Sequence, residues 1–148
     1  MTALSIGALA RRTDVKVPTI RYYESAGLLP QPDRTASNRR VYDADAIDRL
    51  AFIRHARDLG FGMDAIRALL DLRGQPEQPC ARADAIAREQ IEAIDRKVRQ
   101  LEALKRDLQR MVERCNGHSV AECGVIGGLA HHSECLNPDH RHPAEAVL

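Results

Sequence analysis

Cys80, Cys115 and Cys123 are the side chains in this sequence best suited to specific chemistry. Cys80 stands in Gln-Pro-Cys-Ala, before a long stretch with helical periodicity; Cys115 closes that stretch, and Cys123 follows after Asn-Gly-His-Ser-Val-Ala-Glu. Two copies of such a helix running antiparallel would set Cys80 of one chain beside Cys115 and Cys123 of the other. Three thiolates converging in this way form a site for a soft or borderline metal ion. Cys80 at a helix start is also where a thiolate is favoured over a thiol. His118, in the loop between Cys115 and Cys123, could supply a fourth ligand, and Cys3His is a good tetrahedral zinc shell. The alternatives are ordinary: a cysteine packs well as a small hydrophobe, and a loop histidine is usually solvated.

A helix must carry these residues. From about Ala83 to Arg114 there is no Gly or Pro, and Ala87, Ile91, Ile94, Val98, Leu101, Lys105, Leu108, Val112 and Cys115 recur in a 4-3 pattern. That is a coiled-coil seam in which Lys105 is the one polar intruder. At 1.5 Å per residue it predicts a helix of roughly 45–50 Å, too long to bury its stripe against the short helices before it, so a homodimer is expected.

Those short helices come first. Leu4–Arg12 and Val17–Ser25 read as two helices joined by a tight turn, with Ser5 capping the first, Asp14 a candidate cap for the second, and Gly27 stopping it. Arg34 to Tyr42 reads as a β-hairpin wing. A third helix is expected from Asp43 or Asp45, with Ile47, Leu50, Ala51 and Ile53 inward, and a fourth over Met63–Leu72. Two helices and a turn followed by a wing form a DNA-binding unit whose second helix enters the major groove. Seven basic residues against three acids give the first 42 residues +4 within a whole-chain charge of +1, which suits a phosphate backbone.

The residues Ile6-Gly-Ala-Leu-Ala10, Thr19-Ile-Arg-Tyr-Tyr-Glu24, Gly27-Leu-Leu-Pro30, Arg34, Asn38-Arg-Arg40-Val-Tyr42, Leu50-Ala-Phe-Ile-Arg54 and Leu59-Gly-Phe61 closely resemble the MerR family of bacterial transcriptional regulators. The resemblance is dense over residues 4–72 and extends to about residue 130. It implies a mainly α fold: a winged helix-turn-helix domain over 1–74, a linker over 75–82, an antiparallel coiled-coil dimerisation helix over 83–115, a metal-binding loop and short helix over 116–130, and a His-containing polar tail over 131–148. It also implies that the protein activates a promoter by untwisting and kinking over-long spacer DNA, so that RNA polymerase engages both promoter elements.

For the DNA contacts the resemblance points to Lys16, Thr19, Arg21 and Tyr22 on and before the second helix. On the wing it points to Arg34, Asn38, Arg39, Arg40 and Tyr42, with Arg40 and Tyr42 on the DNA backbone and Arg39 equally a solvated charge. Tyr23 is expected in the core. Copper-sensing members of the family carry Ser where Cys80 stands. A third thiolate therefore favours a divalent effector, Cd, Pb or Zn and also Hg, over Cu(I) or Ag(I). Zinc-responsive members typically have two adjacent cysteines at the loop start, whereas here Asn116 follows Cys115, which is closer to the cadmium- and lead-responsive pattern. Disulfide-based redox sensing by Cys115 and Cys123 is the remaining regulatory alternative.

No apolar run approaches a membrane span, and no Ser/His/Asp arrangement, phosphate loop or paired-carboxylate context points to an enzyme. A cytoplasmic setting with reduced cysteines is expected. The tail residues His131, His132, Cys135, His140 and His142 read as a polar tail or a weaker second metal site.

Overall fold

The computed structural model describes residues 3–115, 117 and 119–131, which divide into two compact units at Ile86 and Ala87. His118, Asn116 and the tail from residue 132 lie outside the described residues.

The first unit is a small helical body with a wing. Helix α1 (Ile6–Thr13) starts at Ser5, whose hydroxyl accepts the Ala8 N–H. Leu4, expected inside that helix, is instead extended and bridges to Tyr42. Asp14 does not cap the second helix. It adopts the left-handed conformation (φ 53°), and its N–H returns to the Ala10 carbonyl, so it ends α1. Helix α2 (Val17–Ser25) follows with Pro18 in its first turn and no side-chain cap; Gly27, at φ 78°, takes the conformation that ends it.

The wing is the two-residue pair β1 (Asp33–Arg34) and β2 (Arg40–Val41), antiparallel with Arg34 opposite Arg40. Asn38 at its tip has φ 65°, which Asn tolerates better than most residues. Helix α3 (Ala44–Asp58) is capped by the Asp43 carboxylate accepting the Ala46 N–H, and α4 (Met63–Arg73) follows Gly62.

Leu9, Ile20, Leu28, Leu50, Ile53 and Ile66 are fully buried and form the centre of the core. Ala51, expected inward, is exposed, whereas Ala56, three residues beyond Ile53, is buried.

Helix α5 (Ala81–Glu113) runs for 33 residues, starting two residues before the sequence-based expectation. Ile91, Ile94, Val98, Leu101, Leu108 and Val112 are all more than two-fifths exposed, so within one chain its apolar seam is uncovered. A 3-10 turn (Val120–Glu122) and the short helix α6 (Gly124–Ala130) complete the described residues. Among those residues no helix is long and apolar enough to cross a membrane.

Candidate nucleic-acid interface and thiol site

Helix α2 presents Arg21 and Tyr22 to solvent, with Tyr22 55% exposed, while Ile20 and Tyr23 on its other face enter the core. Lys16 is exposed at its N-cap and Thr19 is half-buried. The uncapped first-turn N–H groups, the positive end of the helix dipole and the Lys16 ammonium together favour an anion there. On the wing, Arg34, Asn38 and Arg39 are exposed; Arg34 Nη1 donates to the Asn38 carbonyl at 3.1 Å, bracing the hairpin tip.

Tyr42 is placed differently from the expected DNA-backbone contact. It is 5% exposed, and its hydroxyl donates to the Glu24 carboxylate. Arg40 Nε lies 3.4 Å from the same carboxylate, which is itself buried. Burial pushes the Tyr42 hydroxyl pKa well up, and the hydrogen bond and negative charge of Glu24 add to the shift. Glu24, which the sequence reading did not single out, therefore ties α2 to the wing through one carboxylate. It also offsets the like-charge pairing of Arg34 with Arg40 across the hairpin.

Three arginines likewise reach partners distant in sequence. Arg49 Nε donates to the Leu28 carbonyl (2.6 Å), Arg54 Nη1 to the Thr13 carbonyl (2.9 Å) and Arg67 Nη2 to the Ala26 carbonyl (2.6 Å). Arg54 also pairs with Asp14 at 3.1 Å. Each brings positive charge to carbonyls at or just beyond the ends of α1 and α2, fixing the helix-turn-helix geometry.

In the second unit, Cys115 and Cys123 approach to 4.0 Å between sulfurs, with Cys115 exposed and Cys123 half-buried. That is about twice a disulfide bond length. Two thiolates on one tetrahedral ion with bonds of ~2.3 Å lie about 3.8 Å apart, whereas a linear ion with the same bonds needs about 4.6 Å. At 4.0 Å the two sulfurs are close enough to bind one ion together. The backbone N–H of Ile126, then that of Val125, with a smaller contribution from Cys115, hold the Cys123 thiol below its ordinary range, favouring the thiolate that binds metal.

The loop closes because α6 packs on the end of α5 through glycine. A Cβ at Gly124 would lie 2.4 Å from the Met111 carbonyl oxygen and from Arg114 Cβ; one at Gly128 would lie 2.7 Å from Met111 Cγ. Met111 is 8% exposed beneath them.

Cys80 belongs to the first unit, is exposed, and precedes α5, its carbonyl accepting the Asp84 N–H. Among the described residues no three His, Cys, Asp or Glu side chains converge on a common point, so one chain brings together two of the expected ligands.

A basic helix-turn-helix with a wing, followed by a long helix and a thiol loop, defines a class of DNA-binding regulators. The chain belongs to the MerR family: residues 4–72 match the MerR HTH family regulatory protein model and residues 47–111 the MerR DNA-binding model. It is 37% identical over 127 residues to the HTH-type transcriptional regulator ZntR of Escherichia coli, covering 84% of this chain and 90% of that one. It is 38% identical to the mercuric resistance operon regulatory protein of Bacillus cereus, covering 84% and 95%. Among solved structures, a transcription regulator of Ralstonia metallidurans in complex with lead(II) aligns with a TM-score of 0.74 at 39% identity, covering 85% of this chain and 98% of that one.

Proposed function

We propose that the protein is a homodimeric, metal-responsive regulator that activates a metal efflux or resistance promoter when a divalent thiophilic ion binds. The ion, Cd(II), Pb(II) or Zn(II) and also Hg(II), would be held by Cys115 and Cys123 of one protomer and Cys80 of the partner subunit, with His118 available as a fourth ligand. The observation that carries this reading is the thiol pair at 4.0 Å in a loop closed by glycine contacts. The relative named for mercuric resistance and the neighbour solved with lead(II) support the same effector class.

DNA would be gripped by Lys16, Thr19, Arg21 and Tyr22 from α2 and by Arg34, Asn38, Arg39 and Arg40 from the wing, with Tyr42 positioning the wing from beneath. Phosphate contacts by Arg and Lys set orientation, and base contacts by the exposed face of α2 set sequence. Metal would bridge the two protomers and rigidify the loop against the DNA-binding domain. The distortion of the promoter spacer, which costs several kcal/mol, would then be offset by protein contacts and would let RNA polymerase engage both promoter elements.

The test is induction of the cognate promoter across Cd, Pb, Zn, Hg, Cu and Ag. Induction by divalent ions, lost in Cys80→Ser while operator binding persists, is the expected result. Induction by Cu and Ag alone would mean a two-cysteine monovalent site. A response abolished by reductant rather than by chelator would mean thiol oxidation.

A further inference from the structure

Lys105 occupies a seam position of α5 between Leu101 and Leu108, both about half exposed. Asp95 lies on the flank of the same seam, next to Ile94. Both side chains are exposed, and neither has an ion-pair partner in the chain among the described residues. A charged residue in an otherwise aliphatic seam lowers stability but specifies register.

We infer that Lys105 pairs with Asp95 of the partner subunit, and that this pair, made twice by the dimer's two-fold symmetry, sets the antiparallel register of α5. The inference rests on the dimer reading above and specifies its geometry.

In an antiparallel coiled coil the two alternating seam positions pack against each other across the interface. The register that pairs the seam throughout sets Val98 beside Leu101 of the partner subunit. It then sets Ile91 beside the partner's Leu108, Ala87 beside the partner's Val112, and Lys105 beside the partner's Ile94. Lys105 thereby reaches Asp95, the next residue, with its aliphatic stem along the seam and its ammonium at the edge. The same register brings the start of α5, which Cys80 precedes, towards the end of the partner's α5, which Cys115 follows. Seam packing and charge pairing together favour this alignment over a slip of one heptad either way. A slip of one heptad in one direction sets Lys105 beside Arg88 of the partner subunit. In the other direction Lys105 would meet Glu102 of the partner subunit, but Ala87 would pass the end of the partner's α5 at Glu113, and its seam layer would be lost.

The experiment is sedimentation of the full-length protein and of Lys105→Glu, Asp95→Lys and the double variant, at low and high salt, with helix content checked by circular dichroism. Reversing one charge turns two attractive pairs repulsive. We expect about a tenfold weaker dimer for each single variant at low salt, a smaller loss at high salt, and recovery to within about threefold in the double variant. A monomeric unsubstituted protein would overturn the dimer reading itself. A dimer in which Lys105→Glu associates normally would overturn the pairing, and so would one whose Lys105→Glu defect is unrelieved by Asp95→Lys.

Discussion

The Glu24 carboxylate shows how much one side chain can organise. It accepts from Tyr42 and faces Arg40, so the wing and the exposed face of α2 share an anchor. Tyr42→Phe leaves a buried carboxylate short of a donor and should cost about 1–3 kcal/mol, weakening operator binding uniformly across sequences. The pH dependence has a definite sign. The folded-state pKa of Tyr42 lies above its unfolded value of 10.0, so its contribution is complete below pH 10 and fades as pH rises above it. Denaturant unfolding should show the unsubstituted protein losing stability in that alkaline window, with a shallower slope in Tyr42→Phe; equal slopes would remove the Glu24 contact from the account. In the sequence, Tyr42 stands beside Arg39 and Arg40 in a short polar segment, and nothing there marks it as buried. Its partner is 18 residues away, on a helix where an acid reads as surface. Arg49, Arg54 and Arg67 were hidden for the same reason, reaching carbonyls 21 to 41 residues distant. By contrast, Ser5 was legible as a cap, and Asp43 as one of two candidates with Asp45, because a cap bonds within its own first turn.

At the scale of elements, α6 is the piece that turns two separate cysteines into a pair. Gly124 tolerates no Cβ because backbone as well as side-chain atoms block it, whereas Gly127 has nothing within 4 Å of its missing Cβ. Gly124→Ala should therefore lift α6 off Met111, separate the thiols and weaken Cd(II) binding at least tenfold, while Gly127→Ala should bind as the unsubstituted protein does. Competition titration against a chromophoric Cd(II) chelator would measure both, and equal losses would mean that α6 does not set the thiol spacing. The length and seam of α5 could be read from its 4-3 periodicity. The burial of Met111 could not, because it faces α6 and lies off that seam. A short apolar turn or helix is legible at Cys123–Ala130, but the need for glycine at positions 124 and 128 comes only from the close approach of α6 to α5.

For the whole molecule, the uncovered seam of α5 determines what the protein can be. Six large aliphatic side chains, each more than two-fifths exposed, call for a partner surface, and Leu101→Asp should yield a monomer. Such a monomer should bind operator weakly, because one half-site contributes a fraction of the phosphate contacts, and it should retain two thiol ligands per ion. Gel mobility at fixed salt would show the first effect; unchanged operator affinity would argue that the dimer forms elsewhere. The most direct test of the proposed site is the sulfur coordination number of cadmium bound to the full-length protein, measured by X-ray absorption, with and without Cys80→Ser. Three sulfurs falling to two in the variant is the predicted result. An unchanged number in Cys80→Ser would contradict a site shared between protomers.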